Sequence, residues 1–228
     1  MFAFLSLKLY NIWDKKIKKY QGGAEIIEVN YTNKILTKIK KNGNNKVFIV
    51  NDFLKIASYE TSRKVLNRLA ENGEIKKIIS GLYYSPYYSK LLGEYEKPNP
   101  HEIAVAIARK FNWNIVPEGN TALNFLGLST QVSAKWTYIS DGSYKTFNIE
   151  NIKIKFKHRN NKEVSGMSIN TALIIQALKT LGKSNVNEIV IKKIQNNLTI
   201  KDKKKILKEA EKTTIWIYEI IKIICSEG

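Results

Sequence analysis

The most regular pattern of apolar and polar residues lies between residues 31 and 85. Apolar residues recur there first at helical spacing and then in the alternating order of strands. The pattern predicts three helices and a hairpin that turns at Ser80-Gly81: Tyr31–Lys41, Asn51–Ile56, Ser58–Asn72, Ile75–Ile79 and Leu82–Ser85. This is the element order of a winged helix-turn-helix, whose last helix typically enters the major groove of DNA.

Plainer interpretations apply to the segments beside this motif. Gln21-Gly22-Gly23 is expected to break any helix, and Val47–Val50 is expected to be an apolar link. Asn51 can cap the short helix. The side chains expected to point inward from that helix are Phe53, Leu54 and Ile56. Residues 1–30 are interpreted as a leader of uncertain structure, either an accessory helix or a disordered leader. The alternative is a helix for partner contact or dimerisation.

The helix from Ser58 to Asn72 is predicted to be buried on one face and exposed on the other. Ser58 is a suitable N-cap, and Gly73 ends the helix. Residues spaced i, i+3, i+4 and i+7 form the stripe expected to be buried: Ser62, Val65, Leu66 and Leu69. The opposite face is predicted to carry Glu60, Arg63, Lys64, Asn67 and Arg68.

Candidate DNA-binding residues follow from that face and from the hairpin. Arg, Lys and Asn side chains can read guanine and adenine edges, so Arg63, Lys64 and Asn67 are predicted to determine specificity. The hairpin lysines are predicted to contact phosphates, which adds affinity without specificity. The full candidate set is Ser58, Thr61, Arg63, Lys64, Asn67, Arg68, Lys76 and Lys77. Two alternatives stay open, since any solvated helix face carries Lys and Arg, and Arg68 can instead fold back onto the hairpin or an acid.

A domain boundary is predicted at residues 89–98. It separates a winged helix-turn-helix domain at residues 31–90 from a C-terminal domain at residues 98–228. The tyrosines before the boundary are expected to close the first domain's core and its linker, with stacking on bases as the alternative: Tyr83, Tyr84, Tyr87 and Tyr88. The second domain is predicted to combine several helices with a sheet of about three to four strands, which makes the fold class α+β.

The elements of the C-terminal domain follow from spacing, caps and turn residues. Asn99 is expected to cap a helix with Pro100 in its first position, Ser168 to cap another, and Thr199 with Asp202 to form a capping box. The predicted helices are His101–Phe111, Asn120–Leu126, Ile169–Leu181, Asn187–Asn197, one that Thr199 opens, and Ile215–Cys225. The predicted strands are Trp113–Val116, Trp136–Ser140, Lys145–Ile149 and Ile152–Lys157, with turns at Asp141-Gly142 and Glu150-Asn151.

Charge is distributed unevenly along the 228 residues, whose net charge is +18. Residues 1–95 carry 17 Lys and Arg against 8 acids, residues 96–150 carry 5 against 5, and residues 151–228 carry 16 against 7. Basic ends of this kind favour an anionic partner such as nucleic acid. An AT-rich coding bias is the alternative, although a uniform bias would not leave the middle neutral.

Signals for catalysis or for a metal are weak in this sequence. The one cysteine, Cys225, excludes a disulfide framework within the chain and fits a cytoplasmic protein. His101 and His158 lie far apart, and the chain has no P-loop or G-x-S-x-G motif. Gly119-Asn120-Thr121 can bind an anion, but a turn with an N-cap is the plainer interpretation. We therefore expect no cofactor, no metal, no enzymatic activity and no membrane-spanning segment.

Two segments carry a resemblance to a known family. They are VFIVNDFLKIAS…VLNRLAENGEIKKIISGLYYSP and GNTALNFLGLSTQVSAKWTYISDG, of which residues 127–142 are the most specific part. Over about residues 31–225 the chain resembles the AbiEi-like antitoxins, and more closely their branch known as DUF6088. It departs from them at Val50 and Ser133, where members often have proline.

The resemblance implies an antitoxin of a type IV, abortive-infection toxin–antitoxin pair. Such proteins repress their own operon through an N-terminal winged helix and neutralise a nucleotidyltransferase toxin through a C-terminal domain. It implies operator DNA, in inverted repeats, as one partner and the toxin as another, with DNA contact within Ser58–Leu69 and Lys76–Tyr83. Two alternatives stay open: a stand-alone transcriptional regulator, and an interaction protein whose winged helix binds protein.

Overall fold

The computed structural model describes residues 23–131, 134–160, 164 and 166–226, with side chains described from residue 30 onward. It divides the chain into two compact units, Met1–Lys97 and Pro98–Gly228. The described residues contain helices and three small sheets of two to four strands, which confirms the predicted α+β class. Residues 1–22, interpreted as part of a leader, lie outside the described residues. So does Ser133, where the sequence departs from the family pattern.

The first unit combines two long helices with two small sheets. Its elements are α1 (Gly23–Lys41), β1 (Val47–Ile49), a 3-10 helix (Val50–Phe53), α2 (Tyr59–Glu71), β2 (Lys76–Ile79), β3 (Leu82–Tyr84), β4 (Tyr87–Ser89) and β5 (Glu94–Glu96). Strands β1, β3 and β2 form an antiparallel sheet with β3 in the centre, and β4 pairs with β5. From α1 to β3 the chain forms a helix, a strand, a 3-10 helix, a second helix and two strands.

Several predictions in this unit need correction. Helix α1 begins at Gly23 rather than near Tyr31. Glycine destabilises a helix mainly when it lies in the interior, and Gly23 is the first residue of α1. The expected apolar link at Val47–Val50 contains strand β1, because the fully buried β3 takes a partner on each edge. Leu54 is exposed, although it was expected to point inward.

The 3-10 helix is capped differently from the prediction. The Ile49 N–H donates to the Asp52 carboxylate at 2.9 Å, so Asp52 rather than Asn51 holds its start. Phe53 is fully buried and meets the Phe48 ring edge-on, with 5.6 Å between the ring centroids. The short element therefore serves to bring an aromatic side chain into the core beneath α2.

The hydrophobic core of the first unit lies between α1, α2 and the three-stranded sheet. The residues predicted to be buried on α2 are all buried: Ser62, Val65, Leu66 and Leu69. They pack with side chains from the other elements: Ile35, Ile39, Phe48, Phe53, Ile75 and Tyr83. The Ser58 cap and the end of α2 at Asn72 and Gly73 are also as predicted.

A second hairpin, β4–β5, occupies the segment that sequence analysis interpreted as a boundary. Tyr87 and Tyr88 are exposed on it instead of closing the core, whereas Tyr83 and Tyr84 are buried as expected. Asn45 Nδ2 donates to Glu96 Oε2 at 2.9 Å, which ties the hairpin to the loop after α1. Its strands have three residues each, and alternation of apolar and polar residues does not distinguish them from a linker.

The second unit contains a four-stranded sheet and a group of helices. Its elements are α3 (Pro100–Phe111), β6 (Ile115–Pro117), α4 (Asn120–Phe125), β7 (Lys135–Ser140), β8 (Lys145–Ile149), β9 (Ile152–His158), α5 (Ile169–Leu181), a 3-10 helix (Lys183–Asn185), α6 (Glu188–Gln195), α7 (Ile200–Ala210) and α8 (Ile215–Cys225). Most predicted bounds agree to within two residues. The predicted caps of α3 by Asn99 and of α7 by Thr199 with Asp202 are confirmed.

The interpretation of Asp141-Gly142 as a hairpin turn is wrong. The strand order is β6-β7-β9-β8, so β9 lies between β7 and β8. Strand β9 runs parallel to β7 and antiparallel to β8, which it meets through the predicted turn at Glu150-Asn151. Strand β8 is the most solvent-exposed of these three strands, and a polar strand is stable at the sheet's edge.

Helices α5 to α8 enclose a core of their own. Its fully buried members come from all four helices and include Leu178, Ile194, Ile206 and Ile221. Among the described residues, no helix combines the length and the apolar character that crossing a membrane requires.

A carboxylate from α7 holds the start of α5. The Ser168 side chain, predicted to cap that helix, makes no capping bond to it. Instead, Glu209 Oε2 accepts the Ser168 N–H at 2.9 Å, the Ser168 hydroxyl at 2.6 Å and the Thr171 hydroxyl at 2.5 Å. Burial alone would raise the pKa of Glu209, but these hydrogen bonds outweigh it and lower the pKa below its ordinary value.

Replacing Glu209 should therefore reduce stability in a pH-dependent way. A lowered folded-state pKa means that the stabilisation is present above the unfolded value of about 4.3 and is lost as pH falls through the folded value. We expect Glu209→Gln to reduce the free energy of unfolding near neutral pH by about 1–3 kcal/mol. Urea unfolding between pH 7 and pH 3 should show the variant and wild type converging at the acid end. The exposed Glu219→Gln is the control; an equal loss there would contradict the assignment.

Candidate nucleic-acid interface

The exposed face of α2 carries two cations, Arg63 and Lys64, on the side opposite the buried stripe. The stripe fixes the rotation of the helix, because Val65, Leu66 and Leu69 are essentially inaccessible to solvent. Both cations therefore point away from the core of the first unit. This is the position from which a recognition helix contacts base edges.

Arg63 is held along the helix surface by Glu60. Its Nη2 lies 3.0 Å and its Nε 3.3 Å from Glu60 Oε2. The hydrogen bond from Arg63 to Glu60, with the attraction between the two charges, raises the pKa of Arg63. Exposed ion pairs of this kind contribute little to stability, so Arg63 can exchange Glu60 for a phosphate or a guanine at small cost.

Ser58 and Thr61 form the start of α2. The Thr61 N–H donates to Ser58 Oγ at 3.3 Å, and the Ser58 hydroxyl donates to Thr61 Oγ1 at 3.0 Å. Thr61 Oγ1 accepts this bond, so its own O–H remains a donor. Ser58 therefore has the role of an N-cap, and Thr61 presents a hydroxyl at the positive end of the helix dipole.

Asn67 and Arg68 are linked to neighbouring elements of the unit. The Tyr83 hydroxyl donates to Asn67 Oδ1 at 2.8 Å, and Arg68 Nη2 donates to Thr32 Oγ1 on α1 at 2.7 Å. Burial raises the pKa of the Tyr83 phenol, so its O–H remains a donor at neutral pH. Both residues are half-buried, in contrast to Arg63 and Lys64. The exposed face predicted to contact DNA therefore contains two kinds of residue. Arg63 and Lys64 are exposed cations, whereas Asn67 and Arg68 connect α2 to other elements of the unit.

The two lysines of the β2–β3 hairpin differ in their surroundings. Lys76 Nζ lies 4.4 Å from the centroid of the Tyr95 ring, a cation–π contact with the second hairpin. Lys77 is exposed and stands opposite Tyr83 in the strand register, beside an irregularity in the pairing before Ile79. Lys77 is therefore the lysine that the described structure leaves more open to a phosphate.

Sequence reasoning missed Tyr59 and Lys55 as members of this surface. Tyr59 is the first residue of α2 and is exposed, next to the Ser58 cap. Lys55 is exposed in the turn that leads into α2. A large aromatic residue at the first helical position, outside the buried stripe, was the signal available in the sequence. Such a side chain can pack on a sugar or a base edge beside the helix start.

The family-like segment at residues 119–142 is used to build the second unit. The hydroxyl of Thr121, a buried residue, accepts the Thr137 N–H at 2.9 Å, which joins α4 to β7. This supports the plainer interpretation of Gly119-Asn120-Thr121 as a turn before a helix. Tyr138 is fully buried, and its hydroxyl lies 3.0 Å from His101 Nδ1 on α3. Burial lowers the pKa of His101, so its imidazole is neutral at pH 7.

The end of this segment, Ser140-Asp141-Gly142, fastens the end of β7. Ser140 Oγ accepts the Gly142 N–H at 2.9 Å, and the Asp141 carboxylate accepts the backbone and side-chain N–H groups of Asn114 at 2.8 and 2.6 Å. A Cβ atom on Gly142 would lie 2.1 Å from the Trp113 indole. Every residue of this triplet thus has a structural role.

A comparison with known families matches most of the chain. Residues 34–206 match the family of unknown function DUF6088, and the match includes α2, the β2–β3 hairpin and the whole sheet of the second unit. The chain belongs to the DUF6088 family. No curated protein matches it. Among the described residues of this DUF6088 protein, no group of three or more His, Cys, Asp or Glu side chains could hold a metal ion.

Adding a methyl group at Gly142 should destabilise this DUF6088 protein. The new Cβ would overlap the Trp113 ring, which cannot move without disturbing its edge contact with Phe156, 5.6 Å away between centroids. We expect Gly142→Ala to reduce the free energy of unfolding by about 1–3 kcal/mol, as for other overpacked sites. The exposed Ser143→Ala is the matched control and should change it by less than about 0.5 kcal/mol. Equal urea midpoints for the two variants would refute the steric argument.

Proposed function

We propose that this DUF6088 protein is a cytoplasmic antitoxin that binds the operator of its own operon and neutralises a nucleotidyltransferase toxin. It acts by binding and not as an enzyme. The observation that carries the proposal is the pair of exposed cations, Arg63 and Lys64, on a helix whose other face is buried. The hairpin that follows this helix presents Lys77, as the wing of a winged helix-turn-helix does.

Base contacts and phosphate contacts have separate sources in this arrangement. Arg63 and Lys64 are the side chains on α2 that can reach guanine edges in the major groove. Lys77 and the Thr61 hydroxyl suit phosphates on either side, where they set the register of the helix without reading sequence. The net charge of +18 favours fast and salt-sensitive association with DNA.

The antitoxin half of the proposal is supported by the resemblance to AbiEi-like proteins and by the two-unit organisation. In that family the second domain neutralises the toxin. The second unit here has a core of its own around α5 to α8. The lysines of α7 suit additional phosphate contacts with DNA: Lys201, Lys203, Lys204, Lys205 and Lys208. A stand-alone regulator would share the DNA-binding half and lack the toxin.

Removing the two exposed cations of α2 should weaken specific operator binding. We expect Arg63→Ala combined with Lys64→Ala to raise the Kd for the operon's upstream region by about tenfold or more, since each good bidentate base contact is worth about 1–3 kcal/mol. A gel shift with random DNA as competitor measures this. Lys40→Ala, which removes an exposed cation from α1, is the control and should leave the specificity unchanged.

The salt dependence of the same complex separates phosphate contacts from base contacts. Lys77→Ala should weaken binding to operator and random DNA alike and reduce the slope of log K against log salt by about 1. Wild-type binding that does not depend on salt, or that shows no preference for the operator, would rule out the DNA-binding half of the proposal.

The antitoxin activity can be tested separately from operator binding. A nucleotidyltransferase encoded beside this gene should arrest growth when expressed alone, and co-expression of the wild-type protein should restore growth. The Arg63→Ala/Lys64→Ala variant, expressed from an independent promoter, should still protect because repression is then not needed. Failure of the wild type to protect, with operator binding intact, would favour the stand-alone regulator.

A further inference from the structure

The β4–β5 hairpin exposes a concentrated apolar surface. Leu91 and Leu92 at its tip are 94% and 63% exposed, and three tyrosines on its strands are also exposed: Tyr87, Tyr88 and Tyr95. Large apolar side chains that cluster on a surface mark interaction sites, and tyrosine is enriched at the centres of protein interfaces. This cluster lies within ten residues of sequence and includes none of the side chains assigned above to base or phosphate contacts.

The hairpin has a defined conformation before any partner binds. The Tyr88 and Tyr95 rings meet edge to face with 5.3 Å between centroids, and the Tyr88 hydroxyl donates to the Gly93 carbonyl at 3.0 Å. The Asn45 bond to Glu96 and the contact of Lys76 with the Tyr95 ring attach it to the rest of the unit. A preorganised surface loses little conformational entropy on association.

Charge argues for a protein partner at this hairpin and against DNA. Residues 87–97 carry two lysines and two glutamates, so this surface is neutral in a chain whose net charge is +18. Glu94 is exposed beside the tip, where it would repel phosphate. The leucines and tyrosines supply apolar area, which favours burial against another protein surface.

We propose that the β4–β5 hairpin is a self-association surface, on which a second copy of this chain docks about a two-fold axis. A two-fold contact needs a self-complementary patch, because the same residues face each other from both sides. Lys90 and Glu94 flank the leucine tip, both exposed, and Glu94 stands opposite Ser89 in the strand register. A two-fold axis through the tip brings Lys90 of each copy to Glu94 of the other.

Two further features fit a second copy. Because two chains of charge +18 repel, they approach most easily through a neutral and apolar patch, and the hairpin is one. In the described part of the chain β4 and β5 form a sheet by themselves, so each strand has one edge without a strand partner. The hairpin of a second copy can pair with such an edge.

Sedimentation velocity of the full chain over a range of concentrations tests the proposal without DNA or toxin. The wild type should show a reversible monomer–dimer equilibrium at moderate salt. Leu91→Ser combined with Leu92→Ser should raise the dimer dissociation constant by about tenfold or more, as loss of central apolar contacts does. Leu54→Ser, which alters an exposed leucine elsewhere in the same unit, should leave that constant unchanged. Equal thermal unfolding of the three proteins shows that they are folded.

A cross-linking experiment locates the contact. A cysteine introduced as Leu91→Cys should give a covalent dimer with a short bis-maleimide. The native Cys225 is buried, so the reagent reacts at position 91. A wild type that is monomeric at all concentrations would overturn the proposal. So would a dimer that the double serine variant leaves intact, or a cross-link that joins the new thiol only within one chain or to a different protein.

Discussion

Burial of one stripe of α2 determines what the first unit can present to a partner. Val65, Leu66 and Leu69 are almost completely buried, and each such side chain stabilises the fold by about 1.5–3 kcal/mol. The ion pair between Arg63 and Glu60 is exposed to solvent and contributes little to stability. Apolar burial therefore outweighs the charges and sets the rotation of the helix. Arg63 is exposed because its neighbours are buried.

The second unit depends in a similar way on one pairing, that of β7 with β9. Because these strands are parallel, both end on the same side of the sheet, and the chain between them has to run back to the opposite side. In this unit the edge strand β8 makes that return. Asp141 and Gly142 lie at the start of that path. Asp141 accepts hydrogen bonds from Asn114, and the Gly142 N–H donates to Ser140. The Trp113 ring leaves no space for a side chain at residue 142. These contacts explain why Asp and Gly stand here although the chain makes no hairpin turn.

Much of the fold could be predicted because its signals are local. The Ser58 cap, Pro100 after Asn99, and the Thr199–Asp202 box each act within one helical turn, so residues close in sequence carry the whole signal. Strands β1, β4 and β5 have three residues each and were not predicted, because no local signal distinguishes them from a link or a boundary. Their existence depends on partners elsewhere in the chain, as β1 depends on β3.

The sequence by itself determined the α+β class, most helices of both units, the buried stripe of α2 and the residue types on its exposed face. Only the tertiary structure decided which of those side chains remain available. Asn67 meets Tyr83, Arg68 meets Thr32 and Lys76 meets Tyr95, all through contacts between residues at least 16 positions apart. The tertiary structure also revealed the β4–β5 hairpin with its exposed leucines and tyrosines. The physical reason is that helical periodicity and caps are local, whereas hydrogen-bond partners and exposure depend on how distant segments pack.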